Sequence, residues 1–384
     1  MRIVQVCPYD PDRHGGVQRN MHGLAAALSA RGHQTLVIAP GTPDPAQPSV
    51  WRLGAMRSVR FAGTRFEVTW APAEDLRRTL EMLRAWEPDV VHFHTPWDPL
   101  MPWQLFRRLA VARVATFHDT PPAGVTGAVL RNLFKGLSRY LLSRLDGAIA
   151  VSAAPMAHLR PGIGGVRPVI LPPVTDLSAF FAVSKAAAEP PTVLFLGRLE
   201  PRKGVQVLLD AIAAFASGAV ALPPGATRPR FVVAGDGDLI GLVRATRERL
   251  GAEWIEMVAA PSEDDQLKLL AAATIAASPA LYGESFGIVL AEALASGTPI
   301  IGADNAGYRT VLTGRGAGLL VPVGDAQALA QRIAALLGDE AERRALSDWG
   351  RAHARQYDVT ERIEDFEDFY RTAIARHARS KREG

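Results

Sequence analysis

The chain alternates between short apolar runs and amphipathic helical periods, and it does so twice. This pattern limits the fold more than any other feature. In the first half, apolar runs at 3–7, 35–39, 90–94, 113–118 and 148–151 alternate with helical periods over 16–30, 73–86, 102–110, 127–145 and 153–160. In the second half, runs near 192–196, 230–234, 274–278, 299–302 and 318–321 alternate with helical periods near 203–216, 238–250, 262–272, 286–296, 325–337 and 340–356. Strands that recur between helices form parallel sheets covered on both faces. The expected class is α/β, with two doubly wound domains. The 384 residues suit two domains of ordinary size. A proline-bounded, alanine-rich stretch from Leu171-Pro172-Pro173 to Pro190-Pro191 marks the linker, giving domains at 1–180 and 181–358.

Residues 283–292 read Gly-Glu-Ser-Phe-Gly-Ile-Val-Leu-Ala-Glu. The spacing predicts a helix with Ser285 as N-cap, Phe286 and Gly287 in the first turn, Ile288 onward at helical period, and Gly297 and Pro299 as the stop. Glu284 then stands on a loop after a strand, where ligands bind in open α/β sheets. The N–H groups of Phe286 and Gly287 and the helix macrodipole favour an anion there. Taken singly, Glu284 and Glu292 read as surface acids. Glu292, however, stands among Val289, Leu290, Ala291, Ala293 and Leu294, where an unpaired carboxylate is costly. A pair of sugar hydroxyls is a suitable partner.

Residues 192–204 read Thr-Val-Leu-Phe-Leu-Gly-Arg-Leu-Glu-Pro-Arg-Lys-Gly. A strand ends at Gly197, and Arg198 and Lys203 flank the loop before a helix. Arg offers a planar fork of donors and Lys a mobile point charge, a combination that suits a diphosphate. A basic surface loop is the plainer reading.

Together these motifs resemble the retaining glycosyltransferases of family 4. The likeness runs from end to end: Gly15-Gly16-Val17 after the first strand, the Gly-Arg-Leu…Lys-Gly loop, Gly235-Asp236-Gly237, and the paired glutamates. Within that family the chain is similar to the bacterial phosphatidylinositol mannosyltransferases, in Val6-Cys7-Pro8-Tyr9, Gly15-Gly16-Val17-Gln18, Ala115-Thr116-Phe117-His118 and the run from Gly283 to Leu290. It departs from the family at Pro172-Pro173-Val174-Thr175-Asp176, where many relatives carry Pro-Asn-Gly-Val-Asp.

The resemblance implies the glycosyltransferase B (GT-B) architecture, two Rossmann-like domains facing a cleft. The acceptor belongs to 1–180 and the nucleotide sugar to 181–358. A last helix near 359–376 crosses back to the first domain; the tail from Arg376 on reads, from its own basic sequence, as frayed. Also implied is transfer of a hexose with retention, with mannose from GDP-mannose favoured over UDP-glucose or UDP-N-acetylglucosamine. The acceptor implied is a lipid or lipid-linked molecule. Arg198, Lys203 and the helix start would stabilise the departing diphosphate, with no metal ion and no further cofactor. Glu284 would contact sugar hydroxyls, Glu292 the ribose, and His118 a donor-sugar hydroxyl near the reacting carbon. Gly16, Gly197, Gly235 and the stretch Ser285, Phe286, Gly287 and Ile288 would line the donor. A non-catalytic relative of the same fold is the rival, but such a protein would usually have lost one of Arg198, Lys203, Glu284 and Glu292.

Charge divides unevenly. Residues 1–180 hold 20 Lys/Arg against 13 Asp/Glu, a balance of +7, and the remainder balances at −3. The first domain should therefore meet an anionic partner. Nucleic acid is set aside, because the chain carries no helix-turn-helix, zinc-ligand or RNA-binding signature. An anionic membrane is favoured by two stretches. Trp51, Phe61 and Phe66 interleave with Arg52, Arg57, Arg60 and Arg65. Segment 127–145 places Leu130, Leu133, Phe134, Leu137 and Leu141 on one side and Arg131, Lys135 and Arg139 on another. The alternative is a soluble acceptor, with these residues solvating the surface.

No apolar run approaches the ~18 residues of a membrane span. Met1 leads directly into the first strand, which reads as lacking a signal peptide. Localisation is expected in the cytoplasm, peripherally at the inner face of the plasma membrane. The single Cys7 reads as a core thiol. Asp10-Pro-Asp12 and Asp236-Gly-Asp238 read as turn chemistry rather than a metal pair. His92 and His94 share a strand face and are expected to line the cleft, without a third ligand for zinc.

Overall fold

The computed structural model describes residues 1–12, 15–61, 64–98, 100–119, 125–186 and 189–383. The side chains of 58–61, 64–67, 125–131, 134 and 383 lie outside that description. The chain divides into two compact units, Met1–Asp176 with Val359–Gly384, and Leu177–Asp358.

The first unit is built on β1 (Arg2–Val6), β2 (Gln34–Ala39), β3 (Val50–Arg52), β4 (Ala55–Phe61), β5 (Thr64–Trp70), β6 (Val90–His94), β7 (Ala112–Phe117), β8 (Gly147–Ala150) and β9 (Val169–Ile170). Seven of these form a parallel sheet in the order β3-β2-β1-β6-β7-β8-β9, and β4 and β5 pair separately as an antiparallel hairpin. Strand order reverses between β1 and β6, which is where such sheets take ligands.

Period-two alternation sorts the side chains of this sheet. Val4, Val6, Val91, Phe93, Ala115 and Phe117 face one core. Ile3, Val90, Ala112 and Val114 face the other, under the helices Gly16–Ala30 and Val359–Glu383. Val359, Ile363, Phe366, Tyr370 and Ala373 recur at helical spacing and supply the apolar stripe that covers this face. The last helix stays regular to Glu383, so the tail expected to fray is helical; Arg376 reaches Gly164 O and Lys381 reaches Ala110 O at 2.9 Å.

The second unit carries β10 (Thr192–Leu196), β11 (Arg230–Ala234), β12 (Ile255–Val258), β13 (Ile275–Ser278), β14 (Ile300–Ala303) and β15 (Leu320–Val321). They form a parallel sheet in the order β12-β11-β10-β13-β14-β15, reversing between β10 and β13. The expected linker is shorter than its proline boundaries. The units meet at Asp176 and Leu177, and the following segment belongs to the second unit. Arg351 donates to Phe181 O and Val183 O, and Lys185 donates to Leu270 O at 2.6 Å, Ala273 O at 2.5 Å and Thr298 Oγ1 at 2.8 Å. These bonds hold residues 177–186 against the second unit's helices.

The structure divides the expected membrane-facing residues. The side chains of Arg60, Phe61, Arg65, Phe66, Leu130, Arg131 and Phe134 lie outside the described residues. Arg52 is not a surface cation: its side chain is 2% exposed and donates to Asp12 at 2.9 Å, Pro40 O and Gln47. Trp51 is half-buried and donates to Thr79. Leu137 and Leu141 pack into the core, whereas Leu133 is 62% exposed and Arg57 and Arg139 are exposed. No helix among the described residues is long and apolar enough to cross a membrane.

Candidate active site

The cation-bearing loop leaves β10 at the point where strand order reverses. Gly197 N–H donates to Ala234 O and Leu199 N–H to Asp236 O, so the loop follows the end of β11. A 3-10 turn, Pro201–Lys203, then leads through Gly204 into the helix Val205–Ala216. Gly204 has φ +72°, and a Cβ there would lie 1.8 Å from Pro279 O. The loops after β10 and β13 therefore touch backbone to backbone, and Leu281 N–H donates to Arg202 O at 2.8 Å. Gly235 closes the third side: a Cβ on it would meet Gly197 O at 1.9 Å.

That contact brings the charges together. Glu284, on the loop after β13, is 9% exposed. Its Oε1 lies 2.6 Å from Lys203 Nζ and 3.3 Å from Arg202 Nη1. Arg202 also donates to Glu200 at 2.8 Å, and Arg198 pairs with Glu200 at 2.9 Å while remaining 62% exposed. Burial works to raise the Glu284 carboxyl, but Lys203 and Arg202 outweigh it and hold it below the usual carboxylate range. Burial likewise disfavours the charge on Lys203, and Glu284 opposes that effect. The ionised pair is the state that satisfies both groups. Three cations meet two carboxylates in this cluster, and Arg198 is the most exposed of the cations.

The helix after Glu284 starts later than its sequence implied. It spans Ile288–Ala295, and the N-cap is Gly287 at φ +99° with no side-chain cap bond. Ser285 is therefore not the N-cap, and Phe286 and Gly287 precede the helix rather than forming its first turn. The cause is packing: Phe286 is buried edge-on against Tyr357, with centroids 5.1 Å apart, and the Tyr308 ring lies 2.6 Å from where a Gly287 Cβ would sit. Only glycine can make that approach. Tyr308 in turn bonds Ser278 at 2.6 Å. The first free N–H groups of the helix thus begin at Ile288, which is half-buried. Glu292 is 2% exposed, on the same helix face one turn beyond Ile288, and it is not without a partner.

Of the expected site residues, the second unit brings Gly197, Arg198, Lys203, Gly235, Glu284, Ser285, Phe286, Gly287, Ile288 and Glu292 to one sheet edge. Gly16 and His118 belong to the first unit. Gly16 opens the helix Gly16–Ala30 after β1, and His118 follows β7. His118 is 9% exposed, with Nε2 3.0 Å from His94 Nδ1, and burial lowers it to about 3. His92 and His94 share one face, as their alternation required, but neither lines an open surface; both are 0% exposed. Cys7 is buried, as its strand position implied. Both acidic triplets are turns: Asp10 accepts from Asp12 N–H, and Asp236 from Gly237 N–H.

Sequence reasoning missed Arg202, which shares Glu284 with Lys203. Its signal was its place beside Lys203 in a turn too short to separate them. Also missed was Gln5, a polar residue on the inward period of an apolar strand.

Comparison with known proteins decides the family. The model described as Glycosyltransferase Family 4 matches residues 14–179, and that described as Glycosyl transferases group 1 matches 178–353. The chain is 33% identical to the phosphatidyl-myo-inositol mannosyltransferase of Mycobacterium leprae over 373 residues, covering 93% of both chains. The chain is a family 4 glycosyltransferase. This transferase is also 33% identical to the phosphatidyl-myo-inositol mannosyltransferase of Mycolicibacterium smegmatis, over 88% of its own length and 86% of the relative's. Sucrose-phosphate synthase from Thermosynechococcus elongatus shares its GT-B fold, with a TM-score of 0.73 over 97% of this chain and 99% of that one, at 23% identity. The transferase thus has the two parallel-sheet domains that its strand–helix alternation implied and the GT-B architecture that its resemblance implied.

Proposed function

We propose that this transferase moves mannose from GDP-mannose to a lipid or lipid-linked acceptor, with retention of configuration. The observation that carries this reading is the likeness, over 93% and 88% of this chain, to two phosphatidyl-myo-inositol mannosyltransferases. In the reaction, the bond from the anomeric carbon to the donor phosphate oxygen breaks and GDP departs. An acceptor hydroxyl oxygen forms the new bond, and its proton leaves to the departing phosphate or to solvent.

The charge at the second unit's sheet edge supports diphosphate departure. Arg198, Arg202 and Lys203, with the N–H groups at the start of Ile288–Ala295, supply in this reading the positive charge that meets the departing diphosphate. In this reading Glu284 positions Lys203 and contacts sugar hydroxyls, Glu292 holds the ribose, and His118 takes a hydroxyl of the donor sugar. No metal ion is required, because cationic side chains supply the neutralising charge.

The acceptor domain is read as approaching an anionic leaflet from the cytoplasmic side. The first unit supports this with its charge: the helix Val359–Glu383 adds equal numbers of acids and bases, so the +7 balance persists. The test is binding and hydrolysis with a panel of nucleotide sugars. Selective GDP-mannose turnover is expected; preference for UDP-glucose or UDP-N-acetylglucosamine would overturn the donor, and binding without turnover would favour a non-catalytic protein.

A further inference from the structure

The face of the first sheet beneath the last helix is apolar at its lower end and polar at its upper end. Above Ile3, Val90 and Val114 stand Gln5, His92, His94, Thr116 and His118, and all except His118 are at most 2% exposed. They form one continuous hydrogen-bonded chain with Tyr370. His118 Nε2 lies 3.0 Å from His94 Nδ1, and His94 Nε2 lies 2.7 Å from Gln5 Oε1. Gln5 Nε2 donates to Tyr370 OH at 3.2 Å. Tyr370 OH lies 2.8 Å from His92 Nδ1, and His92 Nε2 lies 2.7 Å from Thr116 Oγ1.

The direction of every bond in this chain follows from Gln5. A neutral imidazole has one donor nitrogen and one acceptor nitrogen, and burial keeps all three rings neutral. The Gln5 carbonyl can only accept, so His94 donates from Nε2 and accepts at Nδ1. His118 must then donate from Nε2. Its Nδ1, which has no partner among the described residues, carries the lone pair. On the other side, Tyr370 accepts from Gln5 and gives its proton to His92 Nδ1, so His92 donates from Nε2 to Thr116. Reversing the one amide would reverse both arms, and His118 would present an N–H instead. A half-reversed chain would leave a buried polar group unmatched, which is costly.

We propose that Gln5, His94 and Tyr370 are positioning residues that fix His118 as its Nε2–H tautomer, so that Nδ1 accepts a hydrogen bond from a substrate hydroxyl. The C-terminal helix thereby sets the polarity of a group at the end of β7, through a residue 365 positions away from Gln5. The identity of the hydroxyl rests on the transferase reading; the tautomer does not.

The test is long-range proton–nitrogen NMR of the full chain labelled with 15N-histidine, with a His118→Gln variant assigning the signal among nine histidines. At neutral pH, His92, His94 and His118 should all show the Nε2–H pattern. In Tyr370→Phe, Gln5 loses the acceptor that orients it, and the His94 and His118 signals should average between tautomers. Gln5→Met should do the same, and serves if Tyr370→Phe does not fold. In either variant kcat/KM with GDP-mannose should fall about three- to tenfold, the worth of one neutral hydrogen bond, with affinity for bare GDP unchanged. An Nδ1–H or imidazolium His118 in the native chain overturns the proposal. So does an unaltered His118 signal in a folded variant, or a loss confined to GDP affinity. Should the native chain transfer nothing from any nucleotide sugar, the functional reading falls while the NMR result still decides the tautomer.

Discussion

Lys203 Nζ lies 2.6 Å from Glu284 Oε1, and this pair joins the loops of two neighbouring strands across the point where strand order reverses. Glu284 therefore orients the cation expected to meet the diphosphate. Glu284→Gln should lower turnover strongly while sparing affinity for bare GDP. The carboxyl is held below its ordinary value of 4.5, so its contribution to stability is present above that pH and is lost as pH falls through the lower folded value. Thermal melts of native and variant chains should differ at pH 7 and converge in acid. Equal loss of GDP affinity in Glu284→Gln and Glu292→Gln would contradict the separate roles.

Arg198 and Lys203 should separate in stability while agreeing in activity. Either change to Ala should cut transfer by orders of magnitude. Arg198 is an exposed partner of Glu200, worth about 0–1 kcal/mol, so Arg198→Ala should melt close to the native chain. Lys203→Ala removes one of the two cations on a buried carboxylate and should melt several degrees lower. Chelators should change neither activity. Inactivation by EDTA that Mn²⁺ restores would point to a metal-held diphosphate.

Asp98 supplies a pH-dependent prediction in the first unit. Burial pushes its carboxyl up to about 7, against the opposing Leu100 N–H donated at 3.2 Å, and repulsion from Asp119 adds to the rise. A raised carboxyl makes the folded state hold the proton more tightly than the unfolded state. Its cost is therefore absent in acid and grows as pH rises from the ordinary carboxylate range to about 7. Asp98→Asn keeps the acceptor without the charge. It should raise the melting temperature at pH 8 and change it little at pH 4. A uniform shift at both pH values would contradict the assignment.

How much of this was legible in the sequence depended on whether a feature is local. Alternation of 3–7, 90–94 and 192–196 with helical periods identified both sheets, because parallel strands buried on both faces are short apolar runs. The hairpin β4–β5 escaped, since its arginines and aromatics read as a surface stretch. Glu284, Arg198 and Lys203 were legible because they sit in short strand-to-helix loops. Ser285 was misplaced as a cap, because the helix start is set by Tyr308 against Gly287, a contact 21 residues away in sequence. The Tyr370–Gln5 bond could not be read at all, since nothing local links the two ends of the chain.

Arg52 changes the membrane prediction. Its ion pair with Asp12 is structural, so Arg52→Ser should lower the melting temperature rather than merely weaken binding. Arg57→Ser and Arg139→Ser, on exposed positions, should reduce salt-sensitive sedimentation with anionic vesicles and leave melting unchanged. Each cation near such a leaflet is worth about 1 kcal/mol. Equal sedimentation with neutral and anionic vesicles would favour a soluble acceptor.

The central claim is transfer of mannose to a lipid, and its most direct measurement uses GDP-mannose labelled in the sugar with vesicles containing phosphatidylinositol. The account predicts label in the extracted lipid, with the new glycosidic bond in the same α configuration as the donor and with no added metal. Label that remains in water-soluble product, or an inverted bond, would contradict it.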